Sequence, residues 1–178
     1  MIDLLMSKKK ILVTGGAGFI GGALIRTLLL RSNNYIFNLD KMGYASDSTQ
    51  IDRLFLEAPY LKDRYSFYKV DLANHTLLSE CISQIDPDII FNLAAESHVD
   101  RSILDPRIFL NSNIVGTFNL LESARKHWEK LSEKRKDSFR FHHISTDEVF
   151  GALGKNGTFS EVTPYSPRSP YSASKASS

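Results

Sequence analysis

The run VTGGAGFIGG at positions 13–22 constrains the fold of this chain more than any other stretch. A short apolar, β-branched pattern, KILVTG, precedes it, and apolar residues at helical spacing follow from Gly18 to Leu30. Strand, glycine turn and helix in this order are typical of a dinucleotide-binding unit, because a backbone without side chains can approach a pyrophosphate at a helix N-terminus. We therefore predict a dinucleotide site whose turn contains Gly15, Gly16, Gly18 and Gly21.

Strand-like and helix-like patterns alternate along the rest of the chain. Strand patterns cover 10–15, 35–40, 65–72, 88–95 and 138–146, and helix patterns cover 18–30, 50–58, 75–85 and a long segment opened by Asp105 and Pro106. This alternation predicts an open, parallel, doubly wound α/β sheet, the Rossmann-like architecture. In the long helix, the predicted apolar stripe consists of Leu121, Ala124, Trp128 and Leu131.

Composition and length limit the class of protein. The formal net charge of +2 is too small to indicate nucleic acid or an acidic membrane surface as a partner. The single cysteine, Cys81, allows no internal disulfide, and no apolar run approaches the roughly 18 residues of a membrane span. The N-terminal MIDLLMSKKK does not resemble a signal peptide, and either Met1 or Met6 is the start. We expect a cytoplasmic protein without a metal site, with a lead-in at 1–9 and one dinucleotide-binding domain at 10–178.

Two acidic residues that follow predicted strands bear on the choice of cofactor. Asp40 ends the second strand, where a carboxylate accepts hydrogen bonds from an adenosine ribose and repels a 2′-phosphate. It therefore favours NAD over NADP, although Lys41 follows directly and weakens this preference. Asp71, near the end of the third strand pattern, lies either against the adenine or in an ordinary turn, and the spacing leaves both interpretations open.

Two groups of residues are candidates for acid–base chemistry. The fifth predicted strand ends in STDEVFG, so Thr146, Asp147 and Glu148 face the crevice in which a substrate would lie beside the cofactor. The terminal SPYSASKASS places Tyr171 and Lys175 one helical turn apart, where a lysine can lower the tyrosine pKa from its usual ~10. Because the sequence stops three residues after Lys175, we expect this helix to be frayed.

The fourth predicted strand ends in NLAAESHVDRS, at the same edge of the sheet. Ala94 and Ala95 are small where a cofactor must pass close to the backbone, and Ser97 and His98 are candidates to meet the substrate. The loop 151–170 is long for a structureless connection, which is typical of functional loops.

Together, the motifs TGGAGFIG, NLDK, LAAESHVDRS, STDEVFG and YSASK resemble those of the extended short-chain dehydrogenase/reductases, and most closely the dTDP-glucose 4,6-dehydratases. The resemblance runs from about Lys9 to Ser178, and the adjacent Asp-Glu pair separates it from the related sugar-nucleotide epimerases. It implies dehydration of dTDP-glucose to dTDP-4-keto-6-deoxyglucose, a step of deoxysugar biosynthesis, with an NAD that is recycled internally.

The resemblance also implies roles for individual residues. Tyr171, assisted by Lys175, would take the proton of the glucose 4-hydroxyl, to which Thr146 hydrogen-bonds; Glu148 would remove the C5 proton and Asp147 would protonate the departing 6-hydroxyl. Substrate contacts fall on Ser97 and Thr146. NAD contacts fall on Gly15, Gly18, Phe19, Ile20, Gly21, Asp40, Lys41, Asp71, Leu72, Leu93, Ala94, Ala95, Glu96, Ser97, Ser112, Tyr171 and Lys175.

The sequence departs from this family in two ways. Phe150 stands where relatives usually have Tyr, and Ser112 where they often have Thr. Family members are homodimers that continue for roughly as many residues again, including a substrate domain that is absent here. We therefore expect the 178-residue chain to be inactive alone and its dimerisation to be impaired. A non-catalytic NAD-binding fragment, or another nucleotide-sugar dehydratase or epimerase, is the alternative.

Overall fold

The computed structural model of the chain describes residues 8–178 and arranges five strands in one parallel sheet. The strands are β1 (Lys10–Thr14), β2 (Tyr35–Asp40), β3 (Tyr65–Lys69), β4 (Ile89–Asn92) and β5 (Arg140–His143). Their order across the sheet is β3-β2-β1-β4-β5, so the chain winds outward from β1 in both directions. The predicted doubly wound α/β sheet is confirmed. Most of the expected lead-in, and the choice between Met1 and Met6, lie outside the described residues.

Helices cover both faces of the sheet. They are α1 (Phe19–Arg31), α2 (Thr49–Glu57), α3 (His75–Ile85), α4 (Val99–Leu104), α5 (Pro106–Phe109), α6 (Gly116–Glu129), α7 (Glu133–Ser138) and α8 (Pro170–Ser177). Short 3₁₀ turns occupy Pro59–Arg64 and Asp147–Phe150, and a π-helical segment, Leu110–Val115, joins α5 to α6. Within the described part of the chain, no helix is long and apolar enough to cross a membrane.

The core consists of two apolar clusters, one on each face of the sheet, because successive side chains of a strand point to opposite faces. In β1, Leu12 packs into the layer formed by α3 and α6. Its neighbours Ile11 and Val13 pack into the layer formed by α1 and α2. All three side chains are buried, which explains why the central strand is apolar without alternation.

The C-terminal ends of three strands meet at one edge. Thr14 of β1 is paired with Leu39 of β2 on one side and with Asn92 of β4 on the other. The chain reverses its winding direction at β1, and in such sheets the crevice at this switch point is where ligands bind. The turn after β1 and the segments after β2 and β4 therefore border the candidate site.

The buried face of α6 differs from the predicted stripe. Ala124 and Leu131 are buried as predicted, but Leu121 and Trp128 are 44% and 41% exposed, and Leu120 is fully buried instead. The buried face also contains polar and small residues, and a hydrophobicity pattern does not register their burial. Asn119 and Ser123 belong to that group: the amide of Asn119 donates to the Leu72 carbonyl, and the hydroxyl of Ser123 pairs with that of Ser79.

The terminal helix α8 is formed and packed, so our expectation of a frayed helix, which rested on length alone, is not met. Ser169 and Ser172 form a capping box at its start, which satisfies backbone N–H groups that a helix leaves open. Tyr171 and Lys175 are buried, and the Tyr171 nitrogen donates to the Ser102 hydroxyl of α4, a helix that the sequence patterns did not predict. Tertiary packing thus replaces the cooperative length that α8 lacks.

Candidate active site

The turn after β1 and the first residues of α1, together residues 15–21, form a tight backbone structure that we call the glycine cradle. Gly15 has a φ of +69°, and a Cβ at this position would lie 2.6 Å from the backbone nitrogen of Ala94. A Cβ on Gly21 would collide with the carbonyl oxygen of Gly15. These glycines are therefore required by the packing of the cradle itself, because any side chain would have to displace backbone.

The cradle includes the N-terminus of α1. Gly18 is the N-cap and supplies no side-chain capping bond to the first turn. The next two side chains, those of Phe19 and Ile20, are 95% and 63% exposed. The first backbone N–H groups of α1 therefore have no side-chain cap, which is the arrangement that attracts an anion.

A cavity opens beside the cradle, at the ends of β1, β2 and β4. Among the residues predicted to contact NAD, its lining contains Gly15, Gly18, Asp40, Lys41, Asp71, Leu72, Leu93, Ala94, Ala95, Glu96 and Ser112. Phe19, Ile20, Gly21, Ser97, Tyr171 and Lys175 lie outside it. The lining also includes residues that no motif marked, namely Leu39, Gly43, Tyr44, Ala45, Ser46 and Val70. The position of residues 43–46 directly after β2 could have identified them as lining residues, since loops at this edge of a parallel sheet face the crevice.

The buried carboxylate of Asp40 organises the loop that follows β2. Its Oδ2 accepts a hydrogen bond from the Ala17 nitrogen at 3.0 Å, within the glycine cradle. Its Oδ1 accepts from the Met42 nitrogen at 2.8 Å and from the Ser46 hydroxyl at 2.9 Å. Asp40 therefore joins the cradle to the 41–46 loop, a structural role in addition to the predicted ribose contact.

Lys41 points across the cavity toward the end of β4. Its Nζ donates to Oε1 of Glu96 and to the hydroxyl of Ser112, both at 2.7 Å. Glu96 is itself buried, and Asn113 holds its backbone from both sides. Three residues predicted separately as cofactor contacts thus form one bonded group.

For Asp71, the sequence left an adenine contact and a turn role open, and its position is compatible with both. Its Oδ1 accepts from the Ala73 nitrogen at 2.9 Å, and its carbonyl accepts from the Asn74 nitrogen at 2.9 Å, which closes a turn after β3. The same residue also lines the cavity.

The side chains of Thr146, Asp147, Glu148, Tyr171 and Lys175 form a second region, which we call the acid–base corner. Thr146 caps the 3₁₀ turn, and its hydroxyl accepts from the Glu148 nitrogen at 3.3 Å. Asp147 is exposed, whereas Glu148 is half-buried. The turn packs against α8, which brings residues from the end of β5 and from the chain terminus together.

Burial governs the ionisation of both α8 residues. It raises the pKa of Tyr171, the nearby Glu148 and Asp147 carboxylates raise it further, and hydrogen bonding with the Thr146 hydroxyl opposes the shift. Burial also lowers the pKa of Lys175 to about 8, and its Nζ donates to the Ile144 carbonyl at 2.8 Å. The predicted lowering of the tyrosine pKa by the lysine is therefore reversed in this arrangement.

A chain of buried and partly buried hydrogen bonds runs from the end of β1, beside the cradle, to the end of α8. The Ala94 nitrogen lies 3.4 Å from the Thr14 hydroxyl, which donates to Oδ1 of Asn92 at 2.7 Å. Because that oxygen accepts, the Asn92 amide nitrogen donates to Nδ1 of His143, 3.0 Å away. Nε2 of His143 then lies 3.4 Å from the Ser178 hydroxyl at the end of α8. Burial, with the charges of Lys175 and His142, lowers the pKa of His143 to about 4, so the ring is neutral.

The predicted substrate residues after β4 lie at the surface. Ser97 and His98 are both exposed, and the His98 ring packs against Tyr44 with centroids 5.8 Å apart. The Arg101 guanidinium lies 3.5 Å above the same tyrosine ring. The loop after β2 and the start of α4 therefore meet over the cavity edge.

Comparison with known proteins identifies the family of this chain. The family described as GDP-mannose 4,6 dehydratase matches residues 12–178. The chain belongs to this family. It is also 48% identical over 170 residues to the dTDP-glucose 4,6-dehydratase of Neisseria gonorrhoeae. The aligned region covers 95% of this chain and 48% of that protein. The chain thus spans about half the length of the curated relatives it matches.

Solved structures agree with the sequence relatives. A dTDP-glucose 4,6-dehydratase from Bacillus anthracis, determined in complex with NAD, superposes with a TM-score of 0.74 at 37% identity, covering 94% of this chain and 47% of that one. The enzyme of the same name from Streptomyces venezuelae, with NAD and TYD bound, gives a TM-score of 0.79 at 35% identity, covering 94% and 48%. The predicted resemblance to dTDP-glucose 4,6-dehydratases is confirmed.

Proposed function

We propose that this chain binds NAD beside the glycine cradle and supplies acid–base groups for the dehydration of dTDP-glucose. The observation that carries this proposal is the packing of the 146–148 turn against α8, which brings two carboxylates close enough to Tyr171 to raise its pKa. The name of the Neisseria relative and the NAD in the Streptomyces and Bacillus structures support it.

The residues around the cavity fit a dinucleotide. The cradle has no room for a Cβ at Gly15, and the first turn of α1 has no side-chain cap, so a pyrophosphate has backbone N–H donors available. A carboxylate offers about four acceptor positions, of which the carboxylate of Asp40 uses three for Ala17, Met42 and Ser46. One position is left for a ribose hydroxyl.

The corner residues provide separate groups for each proton. NAD, when bound, supplies the acceptor that oxidises C4 of the sugar and later returns the hydride. Thr146 orients the 4-hydroxyl and Tyr171 takes its proton, after which Glu148 takes the C5 proton and Asp147 gives one to the departing 6-hydroxyl. An acid and a base of this kind must be different groups in opposite protonation states.

Tyr171 must reach a lower pKa before it can act as a base. Because burial raises that pKa, we propose that the Lys175 ammonium leaves the Ile144 carbonyl and approaches the phenolate when ligands bind. We also propose Ser97 as a further substrate contact, since its exposed side chain follows β4 at this edge of the sheet.

Cofactor binding can be measured with the 178-residue chain. We expect saturable binding of one NAD per chain in isothermal titration calorimetry, and weaker binding of NADP because Asp40 repels a 2′-phosphate. A chain that binds neither dinucleotide, or that prefers NADP, would contradict the assignment of the cavity.

The chemistry can be tested in a chimera that joins this chain to the second half of the Neisseria gonorrhoeae relative. We expect conversion of dTDP-glucose to the 4-keto-6-deoxy sugar, and a fall in kcat of about 10²–10⁴ for Asp147→Asn or Glu148→Gln. Glu133→Gln is the matched control, because this side chain is 88% exposed and lies on α7. Preference for a UDP-linked sugar, or epimerisation at C4, would overturn the proposal.

We also propose that α4 to α6 pair with a second copy of the chain. Ile103, Leu104 and Phe118 are 64%, 85% and 62% exposed, which is costly for large apolar side chains that remain in water. Sedimentation velocity of the chimera should detect a dimer that Leu104→Ser weakens.

The extent of the domain and the cellular location of the protein are also proposed. We propose that residues 10–178 act as one NAD-binding domain in the cytoplasm, and the single cysteine supports a reducing compartment. Limited proteolysis and cell fractionation test these two statements.

A further inference from the structure

Lys41 directly follows Asp40 at the end of β2, the place where a dinucleotide site distinguishes NAD from NADP. Asp40 opposes a 2′-phosphate, whereas a free cation beside it would attract one. A sequence with Asp and Lys side by side is therefore ambiguous about the cofactor. The surroundings of Lys41 remove this ambiguity.

The Lys41 ammonium is held in a partly buried ion pair. Nζ lies 2.7 Å from Oε1 of Glu96 and 2.7 Å from the Ser112 hydroxyl. The Glu96 side chain is only 10% exposed and that of Lys41 is 32% exposed. Charge-assisted hydrogen bonds with little solvent around them are stronger than pairs on an open surface, so the ammonium has a strong preference for this position.

Glu96 is positioned independently of Lys41. Its backbone nitrogen donates to Oδ1 of Asn113 at 2.8 Å, and Nδ2 of Asn113 donates to its carbonyl at 3.0 Å. Asn113 is fully buried and also donates to the hydroxyl of Ser174 in α8. The carboxylate of Glu96 is therefore presented from a fixed backbone, and it is Lys41 that comes to meet it.

The charge of the cavity has the same sign as a phosphate. Among the described residues that line it, the carboxylates belong to Asp40, Asp71 and Glu96, and the one ammonium belongs to Lys41. Since Glu96 neutralises that ammonium, the two remaining carboxylates leave an excess of negative charge.

We propose that Glu96, supported by Ser112, is a specificity-determining residue that excludes NADP by keeping Lys41 in an ion pair. Asp40 then decides the cofactor without competition from the adjacent cation. This inference rests on the NAD binding proposed above, which it deepens from the class of cofactor to the residues that select it.

The test compares the dissociation constants of NAD and NADP for the 178-residue chain and three variants. Glu96→Gln removes the charge while keeping the shape and the backbone bonds to Asn113, so the affinity ratio should shift about tenfold or more toward NADP. The double variant E96Q/K41Q should lose this gain, because the released ammonium is gone. Glu57→Gln, an exposed position on α2, removes the same net charge elsewhere and should leave the ratio unchanged.

The outcomes separate this inference from the proposed function. An unchanged ratio in E96Q, or the same shift in E96Q and E96Q/K41Q, overturns the role of the ion pair while NAD binding stands. A parent chain that binds neither dinucleotide overturns the proposed function and the inference with it. The ion pair can also be tested without cofactor. An amine acylating reagent should modify Lys41 more slowly in the parent chain than in E96Q. Equal rates would show that Glu96 does not hold the Lys41 ammonium.

Discussion

The glycine cradle and the acid–base corner share one edge of the sheet, but different interactions hold them. In the cradle, backbone meets backbone: Gly15 lies against Ala94 with no space for a Cβ. In the corner, side chains from distant segments hold one another. Lys175 bonds to the carbonyl of Ile144, and the Tyr171 nitrogen bonds to the Ser102 hydroxyl, 69 residues away in sequence.

Because of this difference, we expect different changes to disrupt the two regions. The packing at Gly15 and Gly21 tolerates no added volume, because a Cβ at either position would meet backbone atoms. The corner depends on hydrogen-bond partners and on neutral buried groups, so it should respond to the loss of a cap or to protonation.

The largest effect should come from volume added to the cradle. Gly15→Val places a branched side chain at a φ of +69°, against the Ala94 nitrogen and the Leu93 carbonyl carbon. We expect a loss of more than about 3 kcal/mol of unfolding free energy and no detectable NAD binding. Urea denaturation and calorimetry measure the two quantities.

Gly154→Ala is the control for this substitution. A Cβ at Gly154 meets nothing within 4 Å, so its effect should stay within about 0.5 kcal/mol. If both variants were equally stable, steric exclusion would not be what shapes the cradle.

The cradle was predictable from sequence because its requirements are local. Glycine spacing, a strand before and a helix after define it, and Asp40 falls at the end of the next strand. The ion pair of Lys41 with Glu96 was not predictable, because its members are 55 residues apart and meet only when β2 and β4 take their places on either side of β1.

The acid–base corner could be predicted from the sequence only in part. Its residue types were predicted from the motifs, but the predicted lowering of the Tyr171 pKa was wrong, since the direction of a pKa shift depends on burial that no spacing reveals. The length of α8 was also a poor guide to its state, because Asn113 and Ser102 bond to it from other segments and a capping box stabilises its start.

A smaller effect should follow protonation of His143, which lies beside the acid–base corner and interacts with Lys175. Burial lowers the folded-state pKa of His143 to about 4, below the ordinary value of 6.5, so the unfolded chain binds this proton more readily. The contribution of neutral His143 is therefore complete above pH 6.5 and is lost as the pH falls toward 4. His143→Asn keeps an acceptor for the Asn92 amide but does not titrate, so its stability should fall less over this interval.

Denaturation curves at several pH values measure this difference. Carboxylates titrate in both proteins, so the quantity to compare is the gap between the two stability profiles. Parallel profiles from pH 7 to 4 would mean that His143 is not held neutral by its surroundings. Gly15 and Gly21 carry no titratable group, so the packing of these two glycines has no counterpart to this effect.

The smallest effect should come from the cap of α8. In Ser169→Ala, the Ser172 nitrogen loses the hydroxyl that it bonds at 3.0 Å, which costs about 1 kcal/mol for a helix cap. We expect faster hydrogen exchange in α8, with less than a twofold change in NAD affinity, because the cap touches neither the cradle nor the cavity. Ser160→Ala, in the exposed loop, controls for the loss of a hydroxyl. If exchange in the cradle rose together with that in α8, the hydrogen-bond chain through Asn92 and His143 would couple the two regions more tightly than their separate packing implies.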